Sequence, residues 1–185
     1  HNLRNALGAA AASRILGTPW SAIREALASF RGVRRRFERL GESNGVVVID
    51  DYAHHPTEIE AALTAARSMF PLARLVVAFQ PHLYSRTRDF AEAFGHALAL
   101  ADLAYITDVF PAREAPLPGI TGETVVTALE QAGLGDVRYV PEIEDVPEAL
   151  MSELRSGDVL LTLGAGSIEG VGQAVLDGLE ATVHA

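Results

Sequence analysis

Ionisable side chains follow directly after an apolar run in the stretch VVVIDDYAHHPTE (46–58). Asp51 falls where doubly wound folds often place the carboxylate that accepts hydrogen bonds from a ribose. A plain strand–helix turn explains His54 and His55 equally well, because Pro56 suits the first position of a helix. A metal site is less favoured, since side chains at i and i+1 do not converge. The stretch therefore indicates a nucleotide site or a simple turn.

A second polar stretch, PHLYSRT (81–87), follows a later apolar run. It brings His82, Tyr84, Ser85 and Arg86 into one turn before a predicted helix. A helix N-terminus beside an arginine attracts anions, so the turn predicts a site for phosphate or carboxylate. The alternative is a capped helix in which Ser85 satisfies the free backbone donors.

Two further stretches contain residues suited to phosphate binding. In RRRFER (34–39), an inward-pointing Arg36 would hold phosphate oxygens in pairs, whereas an outward-pointing one belongs to a solvated basic edge. GAGS (164–167) is a Gly-rich strand-to-helix turn, which on its own is a weak signal for phosphate.

Apolar strands and amphipathic helices alternate along the chain and must position these side chains. After VVVID, strands are predicted at 74–79, 103–110, 137–140 and 158–163, and helices at 56–69, 86–100, 121–132, 144–155 and 167–179. Strands that are apolar throughout predict a parallel sheet covered on both faces. Ligands bind beyond the carboxyl ends of such strands, so the polar stretches are expected on one rim.

The amino-terminal part of the chain has a different pattern. Residues 3–16 and 18–30 predict two short helices, the second with Ser21 as N-cap, and a linker is expected around 29–33. GESNG (41–45) then predicts a turn between a strand at 36–41 and VVVID, which run antiparallel. The predicted fold is α/β, with a Rossmann-like doubly wound sheet of six strands, mostly parallel with one antiparallel strand, after a short helical piece.

Composition limits the classes of function. With 185 residues and 49% hydrophobic residues, the chain has room for one sizeable globular domain and a small piece of a second. The net charge of −9 argues against a general nucleic-acid binder, and no apolar run is long enough for membrane insertion. The absence of cysteine removes disulfides and thiolate metal sites, and it fits a cytoplasmic protein.

Five segments, HNLRNALGAA, GVRRRFERLG, VIDDYAHHPTEI, AFQPHLYSRT and LTLGAGSI, occur in an order that closely resembles the Mur ligase family. The resemblance covers essentially the whole chain. It implies three domains: one for a UDP-sugar, a central P-loop ATPase and a carboxyl-terminal Rossmann-like domain. Because the chain has no G-x-x-x-x-G-K-[ST] motif, residues 1–31 are expected to be the last helices of the central domain. Residues 32–185 are expected to be the carboxyl-terminal domain.

The activity that the resemblance implies is ATP-dependent amide formation in peptidoglycan synthesis. More narrowly, the segments resemble the branch of the family that joins L-alanine to UDP-N-acetylmuramate through an acyl phosphate, in the cytoplasm. ATP and Mg²⁺ are the implied cofactors, with the magnesium ligands outside this chain, and the missing domains are the implied partners. The chain alone is expected to be inactive. The alternatives are the murein-peptide branch of the same family and a module that binds a nucleotide or phospho-ligand without chemistry.

The resemblance also implies nucleotide contacts. Asn2 and Asn5 match the family's H-N-x-x-N and are expected at the adenine, where amide side chains suit its donor and acceptor edge. Arg36 matches the arginine that reaches the ATP phosphates, and Asp51 matches the ribose carboxylate.

A second group of matched residues is expected near the reacting groups and the amino acid. His54 and Tyr52 are the implied catalytic residues. His82 and Arg86 match positions that hold the carboxylate of alanine, and Tyr84 and Ser85 accompany them in the same motif. Many relatives have an arginine where this chain has Leu83, so Arg86 and His82 are expected to carry more of the binding.

Overall fold

The computed structural model describes residues 2–30 and 32–183. The chain divides into two compact units, His1–Val33 and Arg34–Ala185, and each is described by itself. The predicted linker at 29–33 includes Arg31, which lies outside the described residues.

The first unit is a pair of helices, α1 (Asn2–Ile15) and α2 (Trp20–Ser29). Gly17 between them has φ +88°, a conformation that favours glycine. The prediction of Ser21 as N-cap is wrong, because the carbonyl of Pro19 already accepts the first helical hydrogen bond from the amide of Ile23, at 3.2 Å. Ser21 consequently lies inside the first turn of α2.

The second unit contains a six-stranded sheet. Its strands are β1 (Glu38–Ser43), β2 (Val46–Asp51), β3 (Leu75–Phe79), β4 (Leu103–Ile106), β5 (Val137–Tyr139) and β6 (Val159–Leu163). Their order in the sheet is β1-β2-β6-β3-β4-β5, and only β1 runs antiparallel to its neighbour. The predicted sheet of six strands with one antiparallel member is confirmed.

The hairpin between β1 and β2 is tighter than predicted. Its turn consists of Asn44 and Gly45 alone, with φ of +52° and +75°, as a two-residue type I′ turn requires. Because Gly41, Glu42 and Ser43 pair with β2, the first strand lies two residues later than the predicted range of 36–41.

Helices cover both faces of the sheet. They are α3 (Pro56–Met69), α4 (Tyr84–Asp89), α5 (Ala91–Leu98), α6 (Gly122–Gln131), α7 (Val146–Glu153) and α8 (Val171–Val183), with 3₁₀ turns at Ile143–Asp145 and Ser167–Gly170. The predicted single helix at 86–100 is two helices, because Phe90 leaves the helical conformation with φ −117° and ψ 16°. The predicted strand at 103–110 ends at Ile106, and Phe110 instead forms an isolated bridge with His82.

The core lies in two layers, one on each side of the sheet. Ile49, Val77 and Leu161 pack in one layer, whereas the residues that precede them, Val48, Val76 and Leu160, belong to the other. This period of two follows from the strand geometry and makes the central strands apolar throughout. The register places Asp51 beside Leu163, Leu163 beside Phe79, and Phe79 beside Ile106. The polar stretches that follow these strands therefore start from one edge of the sheet, as predicted.

Candidate functional site

The basic segment before β1 has a strained backbone at the carboxyl edge of the sheet. Arg35 and Phe37 have φ of +57° and +51°, which is uncommon for residues other than glycine. The carbonyl of Arg35 accepts a hydrogen bond from the amide of Tyr52 at 2.8 Å. The amide of Phe37 donates to Asp51 Oδ2 at 2.7 Å. The end of β2 thus holds the segment in this conformation and places Arg36 between two anchored residues.

Arg35 anchors the segment through its side chain. Its Nε donates to Asp50 Oδ2 at 2.8 Å, its Nη2 to the carbonyl of Gly164 at 2.7 Å, and its Nη1 to Glu169 Oε2 at 3.1 Å. The guanidinium also lies 5.2 Å from the ring centroid of Tyr52. Sequence reasoning missed this residue. The available signal was Asp50, whose place in an apolar strand requires a partner for its charge.

Arg36 is exposed, in contrast to Arg35. Its guanidinium makes no hydrogen bond or ion pair with the part of the chain that the structure describes. Together with Arg34, Arg35, Tyr52 and Glu169 it lines an open cleft of about 360 Å³. Its position agrees with a phosphate contact, which stays a prediction.

Asp51 is 8% exposed and already has two backbone partners. Its Oδ2 accepts the Phe37 amide and its Oδ1 accepts the Ala53 amide at 2.8 Å. Burial raises the pKa of this carboxyl, against the opposing effects of those two hydrogen bonds and of the charge on Arg36. Each carboxylate oxygen has a second lone pair, so the predicted ribose contact remains compatible with this arrangement.

His54 and His55 have different roles despite being neighbours. His55 caps α3: its Nδ1 accepts the Thr57 amide at 3.4 Å, and Glu58 Oε2 accepts the amides of His54 and His55 at 3.0 and 3.2 Å. The turn interpretation is therefore confirmed for His55. The ring of His54 instead lies 5.1 Å from that of Tyr52 and 5.9 Å from that of His82, measured between centroids.

His82 and Arg86 form a pair beside His54. Arg86 Nη1 lies 3.5 Å from His82 Nδ1 and 3.5 Å from the carbonyl oxygen of His54, both at the long limit for a hydrogen bond. No carboxylate of residues 2–30 or 32–183 forms an ion pair with Arg86. Burial and the charges of Arg86 and His54 lower the pKa of His82, against the charge of Glu114. The pair is thus a cation beside an imidazole that is mostly neutral at pH 7, and neither group forms an ion pair with a carboxylate of the described residues.

The other two residues of the PHLYSRT turn are placed differently. Ser85 donates its amide to Glu114 Oε2 at 2.9 Å, and its hydroxyl donates to Glu114 Oε1. The start of α4 thus already has a carboxylate from the chain, a contact that sequence reasoning missed because Glu114 lies in a distant loop. Tyr84 is half-buried. Contact of either residue with substrate stays a prediction.

The remaining predicted contacts lie in the helical unit. Asn5 is exposed on α1, whereas the side chain of Asn2 lies outside the described part of the chain. The residues that the structure describes contain no group of three or more His, Cys, Asp or Glu placed to hold a metal ion. Among the same residues, no helix has both the length and the apolar character needed to cross a membrane.

A mostly parallel sheet of six strands with helices on both faces, and with arginines and histidines on its carboxyl rim, defines an α/β domain. The chain belongs to the Mur ligase family: residues 35–166 match the family model described as Mur ligase, glutamate ligase domain. The chain is 50% identical over 181 residues to the UDP-N-acetylmuramate–L-alanine ligase of Cutibacterium acnes. That alignment covers 97% of this chain and 38% of the relative.

Solved structures agree with this membership. The UDP-N-acetylmuramate–alanine ligase of Thermotoga maritima superposes with a TM-score of 0.83 and 30% identity, over 98% of this chain and 38% of that one. A murein peptide ligase from Psychrobacter arcticus has a TM-score of 0.70 and 26% identity, over 97% of this chain and 37% of that one. The chain thus spans well under half the length of the relatives it matches.

Proposed function

We propose that this chain is the carboxyl-terminal part of an ATP-dependent ligase that joins L-alanine to UDP-N-acetylmuramate in the cytoplasm. The observation that carries the proposal is the His82–Arg86 pair on the rim, in which a half-buried guanidinium has no carboxylate partner among the described residues. The identity of 50% to a relative with that name supports the choice of reaction.

In this proposal the carboxylate of alanine lies between Arg86 and His82. A guanidinium forms two parallel hydrogen bonds with a carboxylate, and neutral His82 donates one more from a ring nitrogen. The contacts of Arg86 at 3.5 Å are weak enough for a substrate anion to replace them. His54 lies next to this pair and Tyr52 lies next to His54, and these two side chains are assigned to the vicinity of the reacting groups.

ATP is assigned to the neighbouring cleft. Arg36 is the residue that would contact its phosphates, because it is exposed and makes no ion pair with the described residues. Asp51 would accept a hydrogen bond from the ribose, and Asn2 and Asn5 are assigned to the adenine. Binding and orientation of the nucleotide are the tasks of these residues. Bound Mg²⁺ would neutralise phosphoryl charge, and its ligands are assigned to other parts of the enzyme.

The amino-terminal helices are assigned to the central domain of the same polypeptide. Five large apolar side chains on α1, on α2 and directly after α1 are more than half exposed: Leu3, Leu7, Ile15, Leu16 and Trp20. Large apolar side chains in such numbers on two short helices indicate a surface that another part of a protein covers. The preceding domain is the proposed occupant, because the alanine-ligase relative is far longer than this chain.

The decisive experiment measures phosphate release from ATP by the full-length polypeptide with UDP-N-acetylmuramate and varied amino acids. We expect release that depends on L-alanine. The isolated chain is expected to release none, since it contains no lysine and hence no P-loop lysine. Release by the isolated chain, or release without any amino acid dependence, would contradict the proposal.

The murein peptide ligase is the second candidate, supported by the superposition with the P. arcticus enzyme. It predicts that a peptide replaces L-alanine as the better substrate in the same assay. A non-catalytic module predicts binding of ATP by the full-length polypeptide without any release of phosphate.

A further inference from the structure

The loop between β4 and α6 contacts the turn that contains His82. The carbonyl of Phe110 accepts the Leu83 amide at 3.0 Å, and the amide of Phe110 donates to the Pro81 carbonyl at 2.8 Å. The Phe110 ring stacks on the His82 ring with centroids 5.7 Å apart and an interplanar angle of 15°. Backbone and ring contacts therefore fix one end of the turn to this loop.

Glu114 fixes the other end. Its carboxylate accepts hydrogen bonds from the amide and the hydroxyl of Ser85, in the first turn of α4. These two hydrogen bonds, together with the charge of Arg86, lower the pKa of Glu114, so its carboxyl is ionised at neutral pH. A charge-assisted pair of this kind is stronger than a hydrogen bond between neutral groups.

The turn held in this way is strained. Leu83 has φ +73°, a conformation that costs free energy for a residue with a side chain. Its carbonyl accepts hydrogen bonds from the amide and the hydroxyl of Thr87, at 3.0 and 2.8 Å. Arg86 follows Ser85 directly and reaches His82 at 3.5 Å, so the geometry of the pair depends on how this first turn is held.

We propose that Glu114 is a positioning residue for the carboxylate site formed by His82 and Arg86. It acts through Ser85 by holding the first turn of α4, and it does not itself bind the substrate. This inference rests on the proposed function, because it assigns Glu114 to the alanine site. The Gly- and Pro-rich loop at 110–121 then serves to brace that site.

Steady-state kinetics of the full-length ligase tests the proposal. Losing the charge-assisted contacts in Glu114→Ala is expected to raise KM for alanine about tenfold, with kcat and KM for ATP within about twofold of wild type. Glu114→Gln retains one acceptor and should show a smaller rise. The matched control is Glu123→Gln, an exposed residue of α6 whose side chain makes no hydrogen bond to the described residues, and it should leave KM for alanine unchanged.

Two outcomes would overturn the proposal. A fall in KM for alanine in Glu114→Ala would mean that Glu114 competes with the substrate carboxylate. A tenfold rise that persists on top of Arg86→Ala would mean that Glu114 acts independently of Arg86, since a residue acting through Arg86 adds nothing once that side chain is gone.

Hydrogen exchange on the 185-residue chain tests the Glu114–Ser85 contact separately from the reaction. Glu114→Ala is expected to speed amide exchange at Ser85, with little change in β3 or β6. Ser85→Ala removes only the hydroxyl donor and provides a milder variant if Glu114→Ala does not fold. Unchanged exchange at Ser85 in Glu114→Ala would refute the positioning role. Absence of alanine-dependent release by the wild-type enzyme would instead refute the proposed function.

Discussion

Arg35 and Arg86 lie on the same rim of the sheet but differ in how their charges are satisfied. Arg35 donates to two carboxylates and a carbonyl, with its side chain 14% exposed and that of Asp50 3% exposed. Arg86 reaches one carbonyl and one imidazole, both at 3.5 Å. A guanidinium that is held by two carboxylates and a carbonyl stabilises the fold, whereas one whose contacts are all long and which has no carboxylate partner among the described residues can accept an anionic ligand.

The same difference separates the flanking carboxylates. Asp50 accepts hydrogen bonds from Arg35 and from the Thr162 hydroxyl, at 2.8 and 2.7 Å. The second of these connects β2 with β6. Glu114, by contrast, holds a turn whose arginine remains free of any carboxylate partner among the described residues. We therefore expect the Arg35 region to contribute mainly to stability, and we propose that the Arg86 region contributes mainly to binding.

Arg35→Ala should give the largest effect. It leaves Asp50 buried without its cation, and breaking such a pair costs about 3–5 kcal/mol of unfolding free energy. Chemical denaturation of this chain measures the loss. Arg39→Ala is the control, because the Arg39–Glu42 pair is exposed and should contribute less than about 1 kcal/mol. Equal stabilities of the two variants would refute the structural role given to Arg35.

Arg86→Ala should act on binding. Loss of a bidentate carboxylate contact is expected to cost about 2–3 kcal/mol, or roughly a hundredfold in alanine specificity of the full-length enzyme. Arg86→Lys should recover only part, since an ammonium lacks the planar fork. Kinetics with each substrate varied in turn measures both. A defect in KM for ATP with alanine unaffected would move Arg86 to the nucleotide site.

His82 provides a test by pH. Burial and the charges of Arg86 and His54 lower the pKa of His82 below 6.5. Arg86→Ala removes one of these charges and should therefore raise the pKa of His82. NMR titration of the ring measures this change. The folded chain binds fewer protons at His82 than the unfolded chain, so stability falls as the pH decreases below about 6.5 through the folded pKa. His82→Gln should remove that part of the pH dependence, and an unchanged dependence would contradict the shift.

Arg36→Ala should have the smallest effect on stability. Its side chain is exposed and has no partner among the described residues, so the unfolding free energy should change by less than about 0.5 kcal/mol. In the full-length enzyme the same variant should raise KM for ATP. A loss of stability comparable with that of Arg35→Ala would show that the two neighbours share one role.

The fold could be predicted from residue patterns because its signals are local. Apolar strands of five or six residues with helices between them require a parallel sheet buried on both faces, and GESNG indicates a turn between antiparallel strands. The restriction of that turn to Asn44 and Gly45 was not predicted. The turn at His55–Pro56 could likewise be predicted, since proline and a capping side chain act within one helical turn. The break of the predicted helix at Phe90 was not, because no Gly or Pro marks it.

Within the site, the sequence determined which side chains reach the rim, and only the tertiary structure decided what each does there. The sequence does not distinguish the three successive arginines. In the structure Arg35 forms ion pairs with Asp50 and Glu169, whereas Arg36 is exposed. From the sequence, Ser85 could be either a helix cap or a ligand contact. In the structure its amide and its hydroxyl both donate to Glu114, which lies 29 residues away in the chain. The physical reason is that hydrogen-bond donors are used by whichever acceptors the fold brings near, and that choice depends on contacts distant in sequence.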